Sequence, residues 1–361
     1  MKQVGTWPSG LFWLAFFAIT SVAAIDVARA ADSEPEAVIL LYHRVADEGP
    51  ASTRVTPARF REHLDMIQQQ GFSVLPVHDV LRGVYEGAPL PDKALALTFD
   101  DAYRSVGEAA FPLLRERKMP FSVFLATDRS DEVAGSFLSW TQMREMANSG
   151  LVTFGAHSLS HAHLEQCRDD QQGRRAREIE NSVERVSAEL GDAAIPVFAY
   201  PYGEYSRSTE AILSQIGLYG LAQQSGAVGA QTPKTRIPRF PLYLGGDSDS
   251  RLMTALHARP MVAVDEAEQV VFFAVGDNPA ATWHFEPAAG DFRREDIRCY
   301  AATGTALEQT FDGEAWSVDL PSLRPGRNKV NCTAKSTTGR GFYWYSRLWL
   351  LADEEGRWLR P

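Results

Sequence analysis

Ala94-Leu95-Ala96-Leu97-Thr98-Phe99-Asp100-Asp101 decides the fold: a short apolar run that ends on two consecutive carboxylates. A run of this length bounded by charge reads as a buried strand, with its acidic pair at the carboxyl end. Similar runs recur at 38–42, 121–125, 152–155, 197–200 and 220–222. Between them lie helical periodicities near 57–70, 103–117, 141–149, 170–190 and 206–215. The first of these is opened by a Thr56 cap and a first-turn Pro57, and it stops before Gly71. Strands alternating with helices from about 37 to 258 predict a mostly parallel sheet covered by helices, and six or seven such units favour a closed or nearly closed (β/α) barrel over an open sheet. In either architecture reactive groups gather at the carboxyl ends of the strands, where Asp100 and Asp101 stand.

After about Pro260 the texture changes to strand-like runs at 270–274, 297–301, 316–318, 328–334 and 342–351, separated by turn residues. A small all-β sandwich-like domain over 266–361 is the expectation. At the other end, Lys2, the apolar stretch 11–25 and Ala28-Arg29-Ala30 read as a secretory signal peptide over 1–30. The alternative, an uncleaved anchor, is disfavoured because fifteen apolar residues fall short of the roughly 20 needed to span a bilayer. No second apolar span appears, so no membrane span is expected beyond that segment. Loss of Lys2, Arg29 and Asp26 would move the net charge from −10 to −11. This acidic balance argues against nucleic acid as a partner.

Export to an oxidising compartment makes a disulfide plausible among Cys167, Cys299 and Cys332. Cys299 and Cys332 share the strand-rich region and are expected to pair, leaving Cys167 as a buried thiol. No CxxC spacing exists, which excludes a cysteine-based zinc site.

Successive strand residues point to opposite faces, so Asp100 and Asp101 should occupy different surroundings: one a metal ligand, the other a base on the same cavity. Helix capping is the structural alternative. Fifty-six residues beyond Asp101, His157-Ser158-Leu159-Ser160-His161 places two imidazoles four apart, a spacing that on a helical turn puts both on one face. One carboxylate and two imidazoles can hold a divalent ion. His163, two residues further, is a weaker third candidate.

Thr98-Phe99-Asp100-Asp101, His157 to His161 and Tyr200-Pro201-Tyr202-Gly203 together resemble the successive motifs of the NodB-type polysaccharide deacetylases, carbohydrate esterase family 4, over roughly 38–244. The resemblance implies a deformed (β/α) barrel in which Asp101, His157 and His161 ligate the metal and Asp100 is the general base. It also implies that the backbone N–H of Tyr202 helps hold the oxyanion. Two positions depart from the pattern. An arginine that steadies the catalytic aspartate normally precedes the proline by two positions, where this chain has Ala199; Arg239 is the candidate replacement, or else a surface arginine in a rim salt bridge. The proton-donating histidine of a late Leu-x-His motif is also missing, because Leu256-His257 has the wrong spacing. Leu41-Tyr42-His43 has the right one. That placement resembles the circularly permuted poly-β-1,6-N-acetylglucosamine N-deacetylases and makes His43 the expected acid, against the alternative of a strand-end histidine bonded to backbone.

Tyr205 and Trp140 are candidates for stacking on sugar rings, with core packing the alternative for each. The aromatic run 342–345 alternates along a strand, so part of it could face a glycan. The function implied is metal-dependent removal of acetyl groups from an N-acetylglucosamine polysaccharide, with the β-1,6-linked exopolysaccharide as best match. Peptidoglycan and chitin-type glycans are the rival substrates. A non-catalytic glycan-binding scaffold is the rival class, and a carboxylate-pair glycosidase a third reading. Zinc is the expected metal, although two imidazoles and a carboxylate also suit nickel, cobalt or iron. Expected partners are the N-acetylated polysaccharide and an exopolysaccharide export machinery, with the protein periplasmic or secreted.

Overall fold

The structure, a computed structural model, describes residues 34–131, 135–166, 171–245, 248–263, 272–273, 281–285, 291–320, 323–339 and 341–351. The expected signal segment and Cys167 lie outside them.

Six parallel strands run side by side in the order Glu36–Tyr42, Ala94–Asp100, Phe121–Leu125, Val152–Ala156, Ala194–Ala199 and Tyr219–Leu221. The curled sheet closes through a short segment rather than a full stave. Ile237 bridges Leu221 on one edge, and three residues later Phe240-Pro241 pairs in parallel with Leu40-Leu41 on the other. This is the deformed barrel expected from the strand–helix alternation. Val228-Gly229 adds an antiparallel patch beside Glu36-Ala37.

Strand alternation sorts the side chains into two cores. Leu95, Leu97 and Phe99 face the outer helices together with Leu40, Val123 and Phe154. Ala94 and Ala96 face inward with Ile39, Phe124, Val197 and Leu221. The inner core is stoppered by the helix Val77–Glu86, whose Val77, Val80, Leu81 and Val84 join it. That leaves the opposite, carboxyl end of the barrel for polar groups.

Beyond the barrel, Ala258–Pro260, Phe342–Leu351, Gly326–Lys335 and Arg298–Ala301 form a sheet in that order, and Ala281–Trp283, Trp316–Val318 and Gln309–Phe311 form a second. Trp283, Trp316, Val318, Tyr343, Tyr345 and Trp349 fill one core between them, the sandwich-like arrangement expected of this region. Leu348 and Leu350, on the other face of the long hairpin, pack into the barrel's outer core. Cys299 and Cys332 stand opposite each other on paired strands and are joined by a disulfide. Among the described residues no helix is long and apolar enough to cross a membrane.

Candidate active site and metal centre

The inward-facing register of several strands delivers polar groups to the open end of the barrel. In Ala94–Asp100 it runs Ala94, Ala96, Thr98, Asp100; counting by twos from Ile39 reaches His43, from Gly155 reaches His157 and from Ile237 reaches Arg239. Gly155 belongs to this inner row because nothing larger fits: a Cβ there would lie 2.5 Å from the Val197 carbonyl oxygen and collide with the Phe124 ring.

Asp101, His157 and His161 each offer a ligand atom within 4.8 Å of the others. His161 Nε2 is 2.9 Å and His157 Nε2 3.7 Å from Asp101 Oδ1. The His157 tautomer is fixed by its other nitrogen, which lies 2.7 Å from the Ala199 carbonyl oxygen, a group that can only accept. Nδ1 therefore carries the proton and Nε2 a lone pair. That lone pair finds no hydrogen-bond partner among the described residues, and Asp101 Oδ1, equally sealed from solvent, has only the nearby His161 Nε2 to interact with. Two acceptors facing each other in a buried space repel unless a cation lies between them. Burial, opposed by Asp100 and aided by His161, brings the His157 pKa down to about 4, so the ring is neutral and able to coordinate. Burial pushes the Asp101 carboxyl up, but the hydrogen bond and charge of His161, with His43 and His157, outweigh this and hold it far below the usual carboxylate range. The donor set and its dry, charged surroundings fit a divalent ion.

No helix carries the two histidines. Residues 157–163 form an irregular loop in which Ser158 (φ 68°) and His161 (φ 60°) adopt the left-handed conformation. Helical spacing is therefore not what brings the two rings 4.9 Å apart; the backbone kinks do. Of the six non-glycine residues with positive φ among those described, Asp101, Ala102, Ser158, His161 and Tyr202 all belong to or adjoin this cluster. Such conformations cost roughly 1–3 kcal/mol each and concentrate where geometry serves function.

Asp100 has different company. Arg239 grips it with two 2.7 Å hydrogen bonds, both side chains fully buried, and reaches Thr98 as well. Burial raises the Asp100 carboxyl, but the Arg239 guanidinium, the His157 ring and the Arg239 hydrogen bonds outweigh it, and the group stays below its ordinary value. His43 lies among these charges. Burial pushes its pKa down, Asp101 and Asp100 pull it up, Arg239 and His161 lower it again, and the net direction is down.

Tyr202 forms the corner of the 200–203 turn with φ 59°, its ring stacked on His163 at 3.8 Å and edge-on to His161 at 4.5 Å. His163 itself bonds Glu204 (2.9 Å) and takes no part in the ligand cluster. Two expectations need correction. Tyr205 is 1% exposed, tilted against Tyr200 and accepting a hydrogen bond from Gln224. Trp140 is 7% exposed, opens its helix rather than preceding it, and donates Nε1–H to Asp131. Neither ring presents a face to a polymer, because each is held in packing by its polar end.

Three residues at the site went unnoticed in the sequence. Gln223 donates to Asp100 (3.3 Å), and the close approach of Gly203, where a Cβ would fall 2.6 Å from the Gln223 side chain, fixes its place. Counting by twos from Leu221 would have found it. Arg129, in the turn after Phe121–Leu125, stands 3.5 Å from Asp101. Arg327, from the C-terminal sheet, donates to the Tyr202 carbonyl and lies over its ring. Nothing in its sequence neighbourhood points there.

Residues 87–221 match the family model described as polysaccharide deacetylase. Over 137 residues, 34% of this chain, the sequence is 31% identical to the poly-β-1,6-N-acetyl-D-glucosamine N-deacetylase of Escherichia coli (strain K12), but it spans only 20% of that protein's length. A protein of the same name from Staphylococcus epidermidis is 24% identical over 56% of this chain and 78% of its own. Among solved structures, IcaB from Ammonifex degensii superposes with TM-score 0.54 at 26% identity, covering 62% of this chain and 97% of that one. The Streptococcus pyogenes deacetylase PplD superposes with TM-score 0.57 at 23% identity over 62% of this chain and 99% of its own, a likeness of fold. Matched motifs, barrel and relatives agree: residues 87–221 carry a polysaccharide deacetylase domain, and the chain is similar in sequence and fold to proteins of that kind.

Proposed function

We propose that this chain is an exported, metal-dependent N-deacetylase of an N-acetylglucosamine polysaccharide, with the β-1,6-linked exopolysaccharide as substrate. The observation that carries the reading is the separation of two adjacent carboxylates: Asp101 faces two imidazoles across a buried gap, and Asp100 is clamped by Arg239. Asp101, His157 and His161 would hold the ion, zinc being the expected one. When bound, a divalent ion polarises the acetamide carbonyl and lowers the pKa of water.

The protein's own groups account for the rest of the reaction. Asp100, kept ionised by Arg239, accepts a proton from the attacking water as its oxygen bonds to the carbonyl carbon. The Tyr202 N–H, in a left-handed turn (φ 59°), would hold the developing oxyanion, for which one donor is worth about 10²–10³ in rate. His43, once it has taken up a proton against the pull of burial towards its neutral form, delivers that proton to nitrogen as the C–N bond breaks, leaving acetate and a free amine. Arg239 positions Asp100 and Gln223 braces it.

The names of the E. coli and S. epidermidis relatives support the β-1,6 linkage. Export, to the periplasm or beyond, is supported by the extracellular kind of glycan and by the apolar segment 11–25. The test is acetate release from β-1,6- and β-1,4-linked N-acetylglucosamine oligomers and from peptidoglycan. Fastest release from the β-1,6 oligomer is expected. Faster release from either rival would overturn the substrate, and glycan binding without release from any would replace the enzyme by a scaffold.

A further inference from the structure

Tyr202 turns the 200–203 corner with φ 59° and ψ 3°, a left-handed conformation that a non-glycine residue keeps only where its surroundings over-determine it. Its side chain and its carbonyl are each held by a different part of the chain. His163, anchored by Glu204, stacks on the ring at 3.8 Å with the two planes 4° apart. From the C-terminal sheet, Arg327 donates through Nη1 to the Tyr202 carbonyl, and its guanidinium lies 6.0 Å from the ring centroid. That carbonyl shares a peptide plane with the Gly203 N–H, which donates to the Tyr200 carbonyl inside the turn. Arg327 therefore grips the far end of a plane that is otherwise held by one turn bond.

Arg327 reaches the corner from an anchored element. It stands opposite Leu350 in the long hairpin, beside the Lys329–Leu348 pair, and Leu348 and Leu350 are buried in the barrel's outer core. The contact spans 125 residues and starts outside the 87–221 stretch that matches the family model, so it belongs to what this chain adds to the barrel. At the Tyr202 Cα, His163 fixes the direction of the side chain and Arg327 that of the carbonyl. Two substituents fixed on a tetrahedral carbon set the third, the amide nitrogen whose N–H is assigned to the oxyanion. A charged guanidinium is a stronger donor than a neutral amide, while exposure to solvent moderates the bond, so the expected effect is a fraction of what the oxyanion donor itself supplies. We propose that Arg327 is a positioning residue for deacetylation: through it the C-terminal β domain holds the Tyr202 corner in its left-handed form and so takes part in the active site. The role in turnover rests on the deacetylase reading above; the grip on the corner does not.

Arg327→Met keeps the apolar stem and removes the donor, and Arg327→Lys keeps a single donor in place of the fork. On the full-length chain, the measurements are amide hydrogen exchange over residues 200–205, zinc content, and kcat and KM for acetate release from a β-1,6-N-acetylglucosamine oligomer. In Arg327→Met, the Gly203 and Glu204 amides, which close the turn, should exchange about fivefold faster or more, with the barrel strands unchanged. Its kcat should fall about tenfold while KM stays within about twofold and zinc content is intact. Arg327→Lys should recover kcat to within about threefold of wild type. Unaltered exchange at Gly203 and Glu204, or a kcat within about twofold of wild type, would overturn the proposal. So would a raised KM at unchanged kcat, which would make Arg327 a glycan contact, or faster exchange throughout the barrel, which would make it a structural residue only. If the wild type releases no acetate, the deacetylase reading fails and the role in turnover with it, while exchange at Gly203 and Glu204 still decides whether Arg327 holds the corner.

Discussion

Asp100 and Asp101 differ by one position in the chain and by almost everything in their surroundings. Strand alternation made that difference readable from sequence, because consecutive residues cannot share a face; the same counting by twos explains why His43, His157 and Arg239 converge with them. Gln223 obeys the rule and was overlooked only because glutamine carries no charge to draw the eye. Asp100→Asn keeps size but replaces one acceptor of the Arg239 clamp by a donor and cannot accept a proton. It should retain metal by elemental analysis while acetate release falls about 10²–10⁴-fold, and activity within tenfold of wild type would disprove its role as base. A second residue sets an acid limit to stability. His63 is fully buried beside the Tyr42 hydroxyl, and burial, opposed by Asp249 and aided by Arg59, lowers its pKa to about 4. As pH falls below about 6.5 the unfolded chain takes up a proton there that the folded chain refuses until about 4. Stability contributed by this site should decline across that window, by up to about 3 kcal/mol. Denaturant titrations at stepped pH should show the decline and its flattening in His63→Gln; an unchanged slope would refute it.

At the scale of elements, the barrel strands were legible because apolar runs bounded by turn residues leave little choice, and Phe121–Leu125 falls where the sequence puts it. The helix Val77–Glu86 was not anticipated. Its valines and Gly83 are poor helix formers, and it exists because Val77, Val80, Leu81 and Val84 lie on one face and fill the barrel floor. The helix expected over 103–117 contains a π-helical turn, Val106–Ala110, that no periodicity reveals. The HxxxH spacing suggested a helix, yet kinked backbone holds those rings, since left-handed residues leave no mark on hydrophobic pattern. Gly155 is where strand packing meets the site. Gly155→Ala drives a methyl against Val197 and Phe124, and should destabilise the barrel by about 1–3 kcal/mol in chemical denaturation while displacing His157, two residues on. Wild-type stability in that variant would mean the inner row has slack that the packing does not show.

For the whole molecule, the C-terminal sheet does more than follow the barrel. One face of its long hairpin joins the barrel's outer core, and Arg327 reaches the Tyr202 turn. Strand-like runs separated by turn residues announced this β domain, but not that contact, because tertiary juxtaposition across more than a hundred residues has no local signature. The Cys299–Cys332 disulfide closes a 33-residue separation within it, for which loop entropy gives about 3–4 kcal/mol. Reduction should lower the melting temperature of the C-terminal domain, and an unchanged melt would show that the bond constrains little. Whether Asp101, His157 and His161 hold an ion on which acetamide hydrolysis depends is decided by acetate release from a β-1,6-N-acetylglucosamine oligomer before and after chelation and zinc return. Activity should vanish with the metal, return with zinc, and fail to return in His161→Ala. Undiminished release from metal-free protein would contradict the account.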